Sequence, residues 1–367
     1  YIQYDPYANA FRVDTSYVFS DAQTQMGRHG YISTWDYELD SGAYFFRLLW
    51  TYWKHMPGAA VLREEAVLKA VEQQLNVWET EQWHEEREVV APGYNRLYRR
   101  PAVKPSRPRE PWTGFVGLPR DGKGSVTAHT GMVWSAFRPS DDPQQYGFLV
   151  PGNMFAVVGL NYVADLATNL WERPELATRA KRMAAQIDEG IRKHAIVEHP
   201  THGRIYAYEV DGLGNHLLMD DANIPSLMSI PYLGYKADAE VYANTRRFIL
   251  SRDNPTYAES SDGSIRGFGS PHTSAASAHN IWPMAQITQG LSSESVAEKL
   301  DLLRQLVATT GGTGVMHESY APDDPRRFTR AWFAWVNSLF AELVMSMTDK
   351  CPASTTPSAA SKRGKGG

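Results

Sequence analysis

Acidic side chains recur in this sequence where aromatic residues, glycine and proline also gather. Asp36, Glu38 and Asp40 lie in Thr34-Trp35-Asp36-Tyr37-Glu38-Leu39-Asp40-Ser41, and Asp141-Asp142 follow Phe137-Arg138-Pro139-Ser140. Asp220-Asp221 sit in Met219-Asp220-Asp221-Ala222-Asn223-Ile224-Pro225. Glu318 lies in Met316-His317-Glu318-Ser319-Tyr320, just after Gly311-Gly312-Thr313-Gly314. Carboxylates paired across a cleft can protonate a leaving oxygen and activate a water, which is the chemistry of sugar hydrolysis. Each also has a structural reading. Asp220 or Asp221 would cap a helix beginning near Ala222, because aspartate accepts the orphan amides there. A glutamate in a glycine-rich turn is ordinarily a surface residue, although loops are where functional groups collect.

Other chemistries find little support. His317-Glu318 lacks the second histidine of an HExxH helix, and no Asp-x-Asp-x-Asp-Gly calcium loop occurs. Neither a Gly-x-Ser-x-Gly elbow nor a phosphate-binding loop is present. The single cysteine, Cys351, has no partner for an intramolecular disulfide and cannot build a cysteine cluster, which excludes a cysteine-ligated zinc toroid. Lys and Arg total 37 against 41 acids, a net charge of −4, so the basic stripe of a nucleic-acid-binding domain is missing. No apolar run approaches the roughly 18 residues that span a bilayer. The expectation is an enzyme-like pocket without metal or cofactor, and neither nucleic acid nor membrane as a partner of this chain.

Helical periodicity must position these groups. Residues 38–56 carry Leu39, Ala43, Phe46, Leu49, Trp50 and Trp53 at helical spacing, with Asp36 as a candidate cap. Similar patterns over 61–82, 154–171, 174–195, 223–234, 236–251, 281–290, 293–310 and 328–347 predict about nine helices. A strand-like piece at 204–210 precedes the turn Asp211-Gly212. The stretches 154–171 and 328–347 are apolar on most faces, whereas 61–82, 174–195 and 293–310 are two-faced. Helices apolar all round are buried, and two-faced helices border water. Two concentric layers, an (α/α) toroid, would produce this alternation. Residues 84–130 and 252–280 read as long functional loops. From Cys351 the composition collapses to Pro, Ala, Ser, Thr, Lys and Gly, which predicts a catalytic domain over 1–350 and a disordered tail over 351–367.

Several long motifs now stand in one order: Asp5-Pro6-Tyr7-Ala8-Asn9-Ala10-Phe11, Gly131 to Asp142, Met219 to Leu227, Gly269-Ser270-Pro271-His272-Thr273 with Ile281-Trp282-Pro283, His317-Glu318-Ser319, and Phe328 to Trp335. Over about residues 4–345 they resemble glycoside hydrolase family 125. The resemblance implies an (α/α)6 toroid and an exo-acting α-1,6-mannosidase that inverts the anomeric centre without a metal, with an α-mannoside glycan as its partner. It places the general acid on the Asp-Asp of Met-Asp-Asp-Ala-Asn and the general base at Glu318. Similarity to the Glu-Glu-Val-Asn of glucoamylases favours Asp220 as acid and Asp221 as substrate holder, with the reverse assignment open.

Glu38, Asp40, Arg138, Asp141, Asp142, Asn153, His272, His317 and Trp332 are the further sugar-binding candidates, and Trp35, Trp134 or Trp332 would supply an apolar platform. A structural arginine–aspartate pair holding residues 131–153 is the alternative for Arg138. The family's Pro-Ser-Asn-Met-Phe stands here as Pro151-Gly152-Asn153-Met154-Phe155, with the asparagine kept. Family members also carry a front segment with a Gly-Asp…Ala-Met-Trp-Leu-Arg-Asp-Ser signature. This chain opens at Tyr1-Ile2-Gln3-Tyr4 without it, so the toroid is expected to be incomplete at its N-terminal side and activity impaired. The competing readings are a non-catalytic glycan-binding or structural protein, and a toroid glycosidase with another sugar specificity.

Overall fold

Spacing of apolar residues sets the helices, and the computed structural model places them close to the predicted bounds. It describes residues 2, 5–16, 30–34, 36–56, 58–86, 118–120, 123–273 and 279–348. Trp35, Cys351 and the 351–367 tail lie outside the described residues. Helix α1 (Leu39–His55) buries Leu39, Ala43, Phe46 and Leu49, a stripe with steps of three and four. Its N-cap is Glu38, which makes no side-chain cap bond, so Asp36 does not cap it. A 3₁₀ turn (Ala60–Arg63) leads into α2 (Glu65–Glu81), which buries Val71, Leu75 and Trp78.

Helix α3 (Val150–Asn169) is the centre of the core. Fifteen of its 20 residues are buried, as expected for a helix apolar on most faces. It packs between α1 and the two-faced α4 (Pro174–His194). A Cβ on Gly159 would stand 3.5 Å from Ala43 Cα, so the crossing with α1 is tight.

Beyond it come α5 (Ile230–Leu233), α6 (Ala239–Ile249), α7 (Pro283–Leu291), α8 (Val296–Ala308) and α9 (Ala334–Thr348). Asp238 caps α6 by accepting from Glu240 N and Val241 N, and Ser295 caps α8 by accepting from Glu298 N.

Two stretches differ from expectation. The helix expected over 223–234 shrinks to α5. Its main-chain donors are taken by side chains: Asp220 accepts from Leu227 N and Met228 N, and Ser226 and Ser229 bond reciprocally. Side chains that satisfy the backbone locally compete with helix in this way. The helix expected over 328–347 begins only at Ala334, because 324–329 pairs as a strand instead. Helix α9 itself is apolar on most faces yet buries one stripe, Val336, Leu339, Leu343 and Met347, leaving Met345 69% exposed among the described residues.

Short strands tie the loops together: β1 (Ala10–Phe11), β2 (Ile32–Thr34), β3 (Phe148–Leu149), β4 (Ile196–His199), β5 (Gly203–Tyr206), β6 (Glu209–Val210), β7 (His216–Leu217), β8 (Tyr257–Glu259), β9 (Arg266–Phe268), β10 (Ser319–Ala321) and β11 (Asp324–Thr329). They form five small antiparallel sheets, β1–β2, β3–β6–β7, β4–β5, β8–β9 and β10–β11. The protein is therefore helix-rich, with more hairpins than the sequence suggested. Among the described residues no helix is long and apolar enough to cross a membrane.

Candidate active site

The loop before α3 is shaped by main-chain bonds. Ala136 N and Phe137 N both donate to Tyr37 O at 3.0 and 3.1 Å, fastening it to the start of α1. Arg138 N donates to Asp142 O at 2.8 Å and Asp141 N to Arg138 O at 3.0 Å, closing a tight turn. That turn puts Asp141 at φ 65°, a left-handed conformation that aspartate tolerates better than most residues. The two neighbouring carboxylates consequently meet different partners. Asp141 Oδ1 accepts from Asn9 Nδ2 at 3.3 Å and lies beside Glu38, with Asp40 close by. Asp142 Oδ1 faces His272 Nδ1 at 3.2 Å, and its other oxygen accepts from Ser140 Oγ at 3.2 Å.

Arg138 is anchored rather than free. Its Nε donates to Glu209 Oε1 at 2.5 Å, and its guanidinium lies over the Tyr208 ring, 5.5 Å from the centroid. Glu209 is fully buried and also accepts from Gln145 N and Tyr146 N. The register of β3 with β6, Leu149 opposite Glu209, brings that carboxylate under the loop. The structural alternative for Arg138 is thus the one seen, as an arginine–glutamate rather than an arginine–aspartate pair, made with a residue the sequence reading did not single out.

Asp220 and Asp221 are both fully buried. Asp220 is held by its main chain, which donates from N to Asn254 Oδ1 at 3.2 Å and accepts at O from Thr256 Oγ1 at 2.7 Å. Its carboxylate accepts from Leu227 N at 2.8 Å and Met228 N at 2.9 Å, one bond to each oxygen. Burial pushes this carboxyl up to about 8, against those two amides, with the charge of Asp221 adding to the rise. Asp221 Oδ1 accepts from Asn223 N and Nδ2, and Oδ2 from Ser270 Oγ at 2.9 Å. Burial raises Asp221 as well, opposed by Asn223, Arg138 and Ser270.

Glu318 owes its setting to the β10–β11 hairpin. Ser319 pairs with Thr329, so Glu318 and Arg330 stand opposite one another just beyond the ladder. Arg330 Nε reaches Glu318 Oε1 at 3.0 Å, from a left-handed backbone at φ 45°. A bridge between Ile281 and Tyr320 carries the ladder to the start of α7. There His272 sits within the field of three carboxylates. Burial lowers its pKa, but the bond and charge of Asp142, then Glu318 and Asp221, outweigh it and hold the imidazole above its ordinary value.

His272 thus joins Asp142, Asp221 and Glu318 in one cluster, with Arg138 behind Asp221. Glu38, Asp40 and Asp141 form an adjoining acidic group. Glu38 is raised well above the usual carboxylate range by burial, then by Asp40 and Asp141. Burial takes Asp40 to about 7, its own N–H opposing and Asp141 adding. The motifs that build both groups lead into α1, α3, α5, α7 and α9.

Other candidates stand elsewhere. Asn153 spends its amide on the backbone, accepting from Val133 N and donating to Val133 O and Leu149 O, so it pins the start of α3. His317 is buried against Phe328, with its ring nitrogens at Ala331 O and Thr310 O. It braces the hairpin entrance rather than meeting sugar. Trp134 is buried against His84, ring centroids 3.7 Å apart, and is no platform. Trp332 is 62% exposed. The sequence reading missed Glu209, Ser270 and Arg330. For Arg330 the signal was available, as a position mirrored on Glu318 across a hairpin. Among the described residues, the group with metal-ligand spacing is His199, His202 and Asp253, which belongs to neither acidic group.

With this geometry in hand, comparisons with known proteins place the chain. Residues 1–345 match the family model described as metal-independent α-mannosidase, GH125. The meiotically up-regulated gene 157 protein of Schizosaccharomyces pombe is 37% identical over 360 residues, which is 95% of this chain and 67% of that protein. A solved structure of a Streptococcus pneumoniae metal-independent α-mannosidase, a non-productive substrate complex with α-1,6-mannobiose, is 39% identical. It superposes with a TM-score of 0.81, covering 95% of this chain and 77% of the other.

Proposed function

Because the chain belongs to glycoside hydrolase family 125, the metal-independent α-mannosidases, we propose that it is an exo-acting α-1,6-mannosidase that inverts the anomeric centre, with an α-mannoside glycan as substrate. The observation that carries this reading is the meeting of Asp142, Asp221, His272 and Glu318 from four separate loops. The mannobiose bound by the S. pneumoniae relative supports the linkage. In this reading residues 1–350 form one (α/α)6 catalytic domain with the 351–367 tail outside it. The placement of the motifs before α1, α3, α5, α7 and α9 supports such a toroid, which gathers loops at one end of its helices.

Glu318 is the general base, removing a proton from the attacking water, with Arg330 orienting its carboxylate. The acid must present an oxygen to the leaving group. Asp220 was expected in that role, but each of its oxygens is bound to a main-chain amide inside the core. Asp221 is equally enclosed. Asp142 keeps 27% of its side chain accessible within the cluster and is the proton donor in this reading. The Glu38–Asp40–Asp141 group, open to solvent at Asp141, then binds sugar hydroxyls, while the enclosed Asp221, steadied by Arg138, holds the charge of His272 from behind. Inversion requires the acid and base to stand about 6.5–9.5 Å apart, leaving room for water.

The test is hydrolysis of α-1,6-mannobiose followed by NMR, with chelator present throughout. Initial release of β-mannose is expected. Initial α-mannose would mean retention and defeat the mechanism. No release with α-1,6-mannobiose alongside release from another α-mannoside would defeat the linkage.

A further inference from the structure

We propose that His199, His202 and Asp253 form a binding site for a divalent transition-metal ion of the zinc type, stapling the β4–β5 hairpin to the segment after α6. The hairpin register pairs His199 with Gly203, and Gly203 takes φ 75° to close the tight turn between them. His199 ends β4 and His202 lies within the turn, with ring centroids 4.9 Å apart. Asp253 arrives from the turn that follows α6. One ligand atom from each of the three residues lies within 4.8 Å of the others. A zinc ion with bonds of about 2.0–2.1 Å holds tetrahedral neighbours about 3.4 Å apart, so rotation of the imidazoles closes the difference.

The present bonding suits the exchange. His199 Nδ1 accepts from Thr201 N at 3.2 Å and His202 N at 3.3 Å. Both contacts are longer than the usual 2.9–3.0 Å and are therefore weak ones to give up. His202 Nε2 meets Asp253 Oδ2 at 2.7 Å, so the carboxylate is already aimed at the nitrogen, and a metal ion would take the place of the shared proton. Phe248 lies beside both imidazoles, 5.4 and 5.8 Å between centroids, as an apolar floor. Asp253, with 45% of its side chain accessible, leaves a fourth position open to water. Two imidazoles and one carboxylate suit zinc, nickel or cobalt, whereas calcium and magnesium require mostly oxygen ligands.

The ion would act on structure rather than on the reaction. Asn254, next to Asp253, accepts from Asp220 N, and Thr256 bonds to Asp220 O. Fixing Asp253 therefore steadies the segment that holds the Asp220–Asp221 motif. This role is compatible with a metal-independent α-mannosidase.

The full chain, stripped with chelator, is titrated with zinc against a chromogenic competitor and followed by thermal melting. One tight equivalent per chain is expected, with a melting temperature that rises with zinc concentration. Magnesium should produce no shift. Asp253→Asn and His199→Asn, each checked for fold by circular dichroism, should weaken zinc at least tenfold while mannoside hydrolysis stays unchanged. Unaltered zinc affinity in both variants would place the ion elsewhere and overturn the site. So would the absence of tight binding, or an equal response to magnesium.

Discussion

Replacing Asp142 by asparagine keeps the shape of the side chain and its neighbours Ser140 and His272, but removes the transferable proton. A positioned general acid contributes about 10²–10⁴-fold, or roughly 3–5 kcal/mol of barrier. Asp142→Asn should lose that much in kcat on α-1,6-mannobiose. The deficit should shrink sharply on an aryl α-mannoside whose leaving group needs no proton. Asp220→Asn supplies the contrast. Its amide nitrogen must face either Leu227 N or Met228 N, where an acceptor stood at 2.8 or 2.9 Å. One buried amide left unsatisfied costs about 1–3 kcal/mol of stability. That variant should melt lower, yet its folded fraction should turn over within about tenfold of wild type, less than the loss of an acid. Kinetics on both substrates beside melting curves decide the matter. An Asp220→Asn enzyme that melts normally but loses three orders of magnitude in rate, beside a competent Asp142→Asn, would return the acid to Asp220.

Glu318→Gln should cost roughly 10²–10⁴-fold in kcat on both the disaccharide and the activated aryl substrate, because attack by water needs the base with either leaving group; near-normal turnover would remove Glu318 from the mechanism. Asn153→Leu should destabilise by about 2–5 kcal/mol, since it strands Val133 N, Val133 O and Leu149 O in the core, with little change in the kinetics of the surviving protein; a raised KM at unchanged stability would restore Asn153 as a sugar ligand. Asp40, at about 7 in the folded chain against an ordinary value of 3.8, binds a proton in the native state that the unfolded chain has released. Its contribution to stability is full below about pH 4 and is lost as pH rises toward 7. The melting temperature of Asp40→Asn, relative to wild type, should therefore climb between pH 5 and 8, and a constant offset would contradict the assignment.

The fold was legible wherever periodicity alone decides structure. The stripe of α1 and the all-round apolarity of α3 state in sequence what they bury. Helix α9 shows where that inference stops, because apolarity says that a face can be buried and not that a neighbour covers it. The 223–234 segment failed for a different reason. Its spacing is helical, but Asp220, Ser226 and Ser229 satisfy the backbone from their side chains, and no periodicity argument sees such competition.

Within the site, sequence located the carboxylates but not the directions in which they point. Asp141 and Asp142 are adjacent, and a left-handed turn sends one toward Asn9 and Glu38 and the other toward His272. Asp220 and Asp221 are adjacent too, and their partners also divide, two main-chain amides for the first and Asn223 with Ser270 for the second. A doubled aspartate thus does two jobs in each motif, one residue shaping the backbone or its neighbour loop and the other facing the cluster. Glu318 and Arg330 illustrate the converse, two residues twelve apart made partners by one hairpin register. Which member of each doublet faces the cluster is fixed by turn geometry and strand register. Those depend on contacts between loops that lie far apart in the chain, so residue type and spacing could nominate the pairs without choosing between their members.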